Sequence, residues 1–231
     1  MKTSIQRRDA SSLPLLISLG VLFVLEALAT EASRLVALAY AAVLVGSAWA
    51  LTRHLRHVLR TVVFLAVALA ARVGYEMSPG RVTLLLAHAT GVLFLAWSAA
   101  LLFRNAVAAP GRVNQDRILG AVCVYLMLGV IGAAVASSIA AMQPGAFRFP
   151  EGVSSDGPYL EVETSSFLYF SFGTLATLGY GDITPVTSLA RTFSWMLAVT
   201  GQMYVAIVVA RLASLGFSGT APDTGRRTQL P

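Results

Sequence analysis

The sequence predicts an all-α membrane protein: six transmembrane helices, with a short helix and a glycine-punctuated loop between the fifth and the sixth. Three observations carry that expectation. Of the 231 residues, 56% are hydrophobic and 12% are charged, where a soluble domain carries about 25% charged residues. The apolar residues gather in six runs, and a run of about 20 residues crosses a bilayer as a helix. The 17 basic residues fall mostly at the ends of those runs. That is the distribution of membrane topology, and it argues against a nucleic-acid partner despite the basic balance.

The runs are 13–30, 35–52, 61–75, 82–103, 118–142 and 189–215. The first is apolar apart from Glu26. With Lys2, Arg7 and Arg8 before it and Ala27-Leu28-Ala29 near its end, it also has the outline of a secretory signal peptide. Its length and Glu26 favour a retained span. His54 and His57 close the second run. They suit a metal or haem ligand pair or a pH sensor, although interfacial histidines more often do neither. The third run is the shortest and holds Arg72; Val58 and Leu59 extend it backward, and Glu26 and Glu76 are candidate partners for the arginine. The fourth contains no Arg or Lys and has His88 as its only ionisable residue. The fifth carries Gly120, Gly129, Gly132 and Ala136, small residues that let helices approach closely, here expected to seat the sixth. Cys123 is the only cysteine, so no intrachain disulfide forms, and it is expected as a small buried apolar residue.

The charges orient these runs. With the N-terminus inside, the inner segments hold Lys2, Arg7, Arg8, Arg53, Arg56, Arg60, Arg104, Arg112, Arg117, Arg211, Arg226 and Arg227, and the outer ones Arg34, Arg72, Arg81, Arg148 and Arg191. That is 12 against 5 of the 17 basic residues. Positive residues prefer the cytoplasmic side, so both termini are expected in the cytoplasm of a multi-pass protein of the cell (inner) membrane. The inner arginines also suit anionic lipid headgroups. The segment between the fifth and sixth runs then lies outside. Its Glu151, Asp156, Glu161 and Glu163 outnumber Arg148, which either concentrates cations there or only keeps the loop solvated.

A short helix is expected over 164–176, rich in aromatics from Phe167 to Phe172. The loop after it alternates Gly179 and Gly181 with other residues. Glycine adopts backbone angles that other residues avoid, and alternation turns successive carbonyls to one side. At membrane depth such bare backbone is tolerated only if buried in protein or lining a watery path. There, carbonyls can replace the water around a small cation.

Thr177-Leu178-Gly179-Tyr180-Gly181-Asp182 resembles the selectivity filter of the potassium channel pore family, with Leu178 where Val is commoner. The resemblance runs over about 117–214, through Ile183-Thr184-Pro185 and into the sixth run. It implies a potassium-selective, passively conducting homotetramer, with K+ held by the carbonyls of Thr177, Leu178, Gly179 and Tyr180 and by no other cofactor. The Thr177 hydroxyl adds an innermost ring. Tyr169, Phe170 and Thr174 stand where the family supports its filter, and Tyr169 is expected to hydrogen-bond Asp182. Gly173 and Ala176 are departures: some relatives have a carboxylate at the first position, and Thr is common at the second. Gly201 falls at the spacing of the family's gating hinge, though a helix glycine serves close packing equally well. Gln202 is placed to face the cavity below the filter. Val205, Val209 and Ala213 form either an apolar gate or a packing stripe.

The organisation expected is therefore a four-helix module over 1–110, a pore domain over 111–217 and a short disordered cytoplasmic tail over 218–231. The first module stands where voltage-gated relatives keep a sensor, but a sensor needs several Arg or Lys on its fourth helix. No catalytic constellation is visible, so the protein is not expected to be an enzyme; a membrane haem enzyme would need facing histidine pairs. A regulatory subunit that kept the pore fold without conducting is the alternative function.

Overall fold

The computed structural model describes residues 12–28, 41–47, 58–108, 115–150 and 164–217. Within them lie α1 (Leu13–Leu28), a helical segment α2 (41–47), α3 (Val58–Met77), α4 (Arg81–Phe103) ending in a π-helical turn (Arg104–Ala108), α5 (Gln115–Met142), β1 (Phe147–Arg148), α6 (Thr164–Leu175), β2 (Thr184–Pro185) and α7 (Ser188–Phe217). The protein is a mostly helical membrane protein. Three of the described helices are long and apolar enough to cross a bilayer: Arg81–Ala106, Gln115–Met142 and Ser188–Arg211. The expected first and third spans are helices, but α1 offers only the shorter apolar stretch Leu13–Val24, and Arg60, Arg72 and Glu76 interrupt α3. The second expected span is described only over 41–47. The side chain of Glu26, His54, His57, the acidic residues 151–163 and the tail from 218 lie outside the described residues.

Packing runs from α3 onto α4 and from α4 onto α5, and α5 in turn holds α1, α6 and α7. The α3–α4 hairpin turns at Ser78 to Gly80, where the Thr83 hydroxyl lies 2.8 Å from the Ser78 carbonyl and 3.0 Å from that of Gly80. Thr61 and Ala68, two turns apart on α3, are buried, and Phe64 meets Trp97 of α4 at 6.1 Å between ring centres. Arg72 pairs with Glu76 one turn on, at 2.8 Å, and lies over the Tyr75 ring.

Polar ties fix the helix directions. The Ser12 N–H at the head of α1 donates to the Asp116 carboxylate at the head of α5, at 3.1 Å, so α1 and α5 start at the same end. The Arg81 guanidinium, at the head of α4, donates to the last carbonyl of α5, Met142 O, at 2.6 Å. A cation there also suits the helix dipole. The Tyr204 hydroxyl of α7 donates to Ala121 O near the start of α5, at 2.6 Å. Thus α4 and α7 run against α5 and α1 runs with it, as expected for spans that alternate in direction. His88 Nδ1 lies 3.1 Å from the Ser138 hydroxyl, joining the first turns of α4 to the last turns of α5.

The glycines of α5 correct one expectation. Gly129 and Gly132 mainly seat α6, where α7 was expected. A Cβ on Gly129 would fall on the Phe172 ring, and one on Gly132 on the Ser171 hydroxyl, with Leu197 of α7 just beyond at 3.1 Å. Ser171, fully buried, donates to the Gly129 carbonyl at 2.7 Å. Gly120 faces Ala106 and Ser12, and Ala136 and Cys123 are buried in the main core.

This fit makes a testable claim. Gly129→Ala should destabilise the protein by about 1–3 kcal/mol, the usual range for overfilling a packed site. Thermal unfolding in detergent should show a lower Tm, and Phe172→Leu in the Gly129→Ala background should recover part of the loss. An unchanged Tm in Gly129→Ala would mean that α6 is not seated on α5 in this way.

Candidate functional site: the loop after α6

The site begins where α6 stops. The Leu178 N–H reaches back to Gly173 O at 2.8 Å and the Thr177 N–H to Thr174 O at 3.0 Å. These six-to-one and five-to-two bonds form a Schellman cap, whose closing residue is normally a left-handed glycine. Here that residue is Thr177, with φ of 57°. A β-branched residue rarely adopts this conformation, and such strain persists only where the surroundings enforce it. Gly179 and Gly181 follow with φ of 61° and 81°. Left-handed residues therefore fall at every second position from 177 to 181.

Alternation leaves the loop's carbonyls free. Among the described residues no hydrogen bond ends on the carbonyl oxygens of Thr177, Leu178, Gly179 or Tyr180. The side chains of Leu178 and Tyr180 are 57% and 67% exposed on the single chain, so the loop lies on its surface.

The two ends of the loop are anchored. At the inner end the Leu175 carbonyl, left over at the helix terminus, presses onto α7 at Gly201. A Cβ at that position would occupy the place of the oxygen. Of the two readings of Gly201, close packing is therefore realised in this structure. Its neighbour Gln202 donates from Nε2 to the Thr177 hydroxyl at 3.1 Å. At the outer end the Tyr169 hydroxyl donates to Asp182 Oδ2 at 2.8 Å, and the Ile183 N–H donates to Oδ1 at 2.9 Å. Tyr169 also stacks on Tyr180, 5.9 Å between centres and 7° from parallel. Beyond Asp182, β2 pairs antiparallel with β1, Phe147 facing Pro185 and Arg148 facing Thr184.

Phe170, next to Tyr169 on α6, turns its ring into the core. It lies edge-on to Phe147 at 5.1 Å, and Phe167 bridges Phe147 and Phe149 at 5.7 Å each. Thr174 contributes its carbonyl to the cap. At Gly173 an added Cβ would meet open space, and the Gly173 carbonyl holds the cap instead. Val205, Val209 and Ala213 are exposed on α7; Val208 and Tyr204 make the packing contacts of that helix half. Sequence reasoning missed Ser171, the Phe147–Arg148 strand and the left-handed Thr177. Phe147 and Phe149, in and just after that strand, were the one signal on offer. Among the described residues no three His, Cys, Asp or Glu side chains gather as a metal site would require.

The Asp182 carboxyl is held below the usual carboxylate range, first by the Tyr169 hydroxyl and then by backbone N–H groups that prefer its charged form. A lowered carboxyl pKa stabilises the fold above the unfolded value, and that contribution fades as pH falls through the folded one. The Tyr169–Asp182 latch should therefore loosen only in acid below the ordinary carboxylate range. In Tyr169→Phe, Asp182 should titrate at a higher pH. Carbon NMR of labelled aspartate measures this, and equal titration in both proteins would contradict the latch.

The family described as ion channel matches this chain over residues 121–218. Over 90 residues the chain is 38% identical to "Two pore potassium channel c" of Oryza sativa subsp. japonica, which covers 39% of this chain and 17% of that protein. Over 77 residues it is 29% identical to "Voltage-gated inwardly rectifying potassium channel KCNH7" of Mus musculus, covering 32% of this chain and 6% of that one. The chain thus matches less than a fifth of the length of either relative. No solved structure matches it. Through the stretch from residue 121 to residue 218, the chain is similar to the ion channel family and to these potassium channels.

Proposed function

We propose that the protein is a potassium-selective channel whose pore is closed by four copies of the chain around the loop 177–182. The observation that carries this reading is the row of four undonated carbonyls, generated by left-handed residues at 177, 179 and 181. Carbonyls so aimed replace the hydration shell of a small cation. One loop on the surface of one chain encloses nothing, and unpaired backbone is costly at membrane depth. Four loops about an axis provide stacked oxygen cages. In that assembly α6 and the loop re-enter the membrane between α5 and α7, and the exposed faces of Trp195, Val199 and Met203 on α7 meet neighbouring chains or lipid. Conduction is passive, with no catalysed step.

Purified protein in liposomes should pass potassium and rubidium and exclude sodium. Gly179→Ala or Gly181→Ala should abolish selective flux. A left-handed conformation costs an L-residue roughly 1–2 kcal/mol, and the cost recurs in every chain of the ring. The solubilised protein should run as a tetramer. Unaltered potassium selectivity in both glycine variants would refute the carbonyl cage.

Gating by voltage should be shallow. Moving one charge through the membrane field is worth ~2.3 kcal/mol per 100 mV. Between Arg81 and Arg104 α4 carries no Arg or Lys, and Arg72 is engaged by Glu76 and Tyr75. Bilayer recordings should give an apparent gating charge of about one or two for the whole channel. A steep conductance–voltage curve would place mobile charge in the first four helices after all.

A further inference from the structure

Gln202 sits one residue past the point where α7 is pressed against the end of α6. The Gly201–Leu175 contact fixes the height and rotation of α7 there. It therefore fixes where the Gln202 side chain emerges: under Thr177, two residues beyond Leu175. Both Gln202 and Thr177 are exposed on the single chain, and they are joined by the 3.1 Å hydrogen bond. No metal-binding or catalytic role requires a glutamine here, and α7 is otherwise apolar through Met203 to Ala210 apart from the Tyr204 hydroxyl.

The chemistry of the pair is two-way. A glutamine amide ends in both a donor and an acceptor, and a threonine hydroxyl has one hydrogen and two lone pairs. In the arrangement seen, Nε2–H occupies one lone pair of Thr177 Oγ1. A half-turn of the amide brings Oε1 to the same place. The hydroxyl then gives its hydrogen to Gln202 and turns both lone pairs to the axis, which is what a cation beside it requires. Leucine can support neither arrangement. A carboxylate supports only the second.

We propose that Gln202 is a positioning residue for the innermost cation site, setting the direction of the Thr177 hydroxyl and so the affinity of that site for potassium. This rests on the potassium-channel reading above. The ion occupies the ring of four Thr177 hydroxyls. Gln202 stands behind each hydroxyl, donating to it when the site is empty and accepting its hydrogen when the site is filled.

Single-channel recording of the full chain in planar bilayers tests this, with potassium varied on one side at a time. In Gln202→Leu the half-saturating potassium concentration on the Gln202 side should rise roughly threefold or more, within the range one neutral hydrogen bond supplies. The opposite side and the potassium-to-sodium ratio should stay as in the wild type. Gln202→Glu, which still accepts the hydroxyl hydrogen, should not show the rise. In a Thr177→Ala background, Gln202→Leu should have no further effect, because the pair is already broken. If that background carries no current, the potassium concentration that half-raises the Tm of the solubilised protein gives the same cycle. No shift in Gln202→Leu, an equal shift from both sides, or a full shift in the Thr177→Ala background would overturn the proposal. A wild-type protein that passes sodium as readily as potassium would instead overturn the channel reading beneath it.

Discussion

A stretch of backbone that leaves four carbonyls in a row without donors cannot hold its own shape. Helices and strands are rigid because their carbonyls are engaged; this loop has set that aside. Its position must come from what grips its ends. At one end stand the cap on Gly173 and Thr174 and the Leu175 carbonyl wedged on Gly201. At the other stands Asp182, held by Tyr169 and the Ile183 N–H. The rest of the second half serves those grips. α5 seats α6 through Gly129 and Gly132, α7 backs its end, and the β1–β2 pair takes up the chain as it leaves.

The loop itself was legible in the sequence, because glycine alternation is a backbone statement written in residue types. So were the α6 and α7 boundaries, within a residue or two. The Tyr169–Asp182 bond came from family resemblance alone; 13 residues separate the partners and no local rule links them. The left-handed Thr177 was hidden, since a β-branched residue signals the opposite preference. Gly129 and Phe172 make one joint, but a small residue and a large one 43 positions apart have no common pattern until the helices are stacked. The small residues of α5 were recognised as a contact face and assigned to α7, which Gly132 does meet at Leu197, while their share in seating α6 was not seen for that reason.

The first half shows a different limit. Its third apolar run holds Arg72 and is flanked by Arg60 and Glu76, and among the described helices length with hydropathy alone singles out only α4 there. What places α1 and α3 beside the second half is contact. Phe23 of α1 meets the edge of Phe172 at 5.2 Å, so the ring that fills the Gly129 notch is also touched from the first helix. Phe103 and Tyr204 similarly join the end of α4 to α7 at 6.0 Å. The two halves share a core that composition by itself would have divided.

The tie between Ser12 and Asp116 bears on how the chain is made. Its partners are 104 positions apart. Synthesis adds about 5–20 residues per second, so α1 leaves the ribosome on the order of 5–20 s before the carboxylate that receives its first N–H exists. During that interval α1 must be sheltered by α2, where Gly46 lies against Ser18, by lipid or by the insertion machinery. Only when α5 arrives can the oldest part of the chain settle, and it does so against the helix that will also receive α6. Maturation of the first helix and of the loop after α6 therefore wait on the same late event.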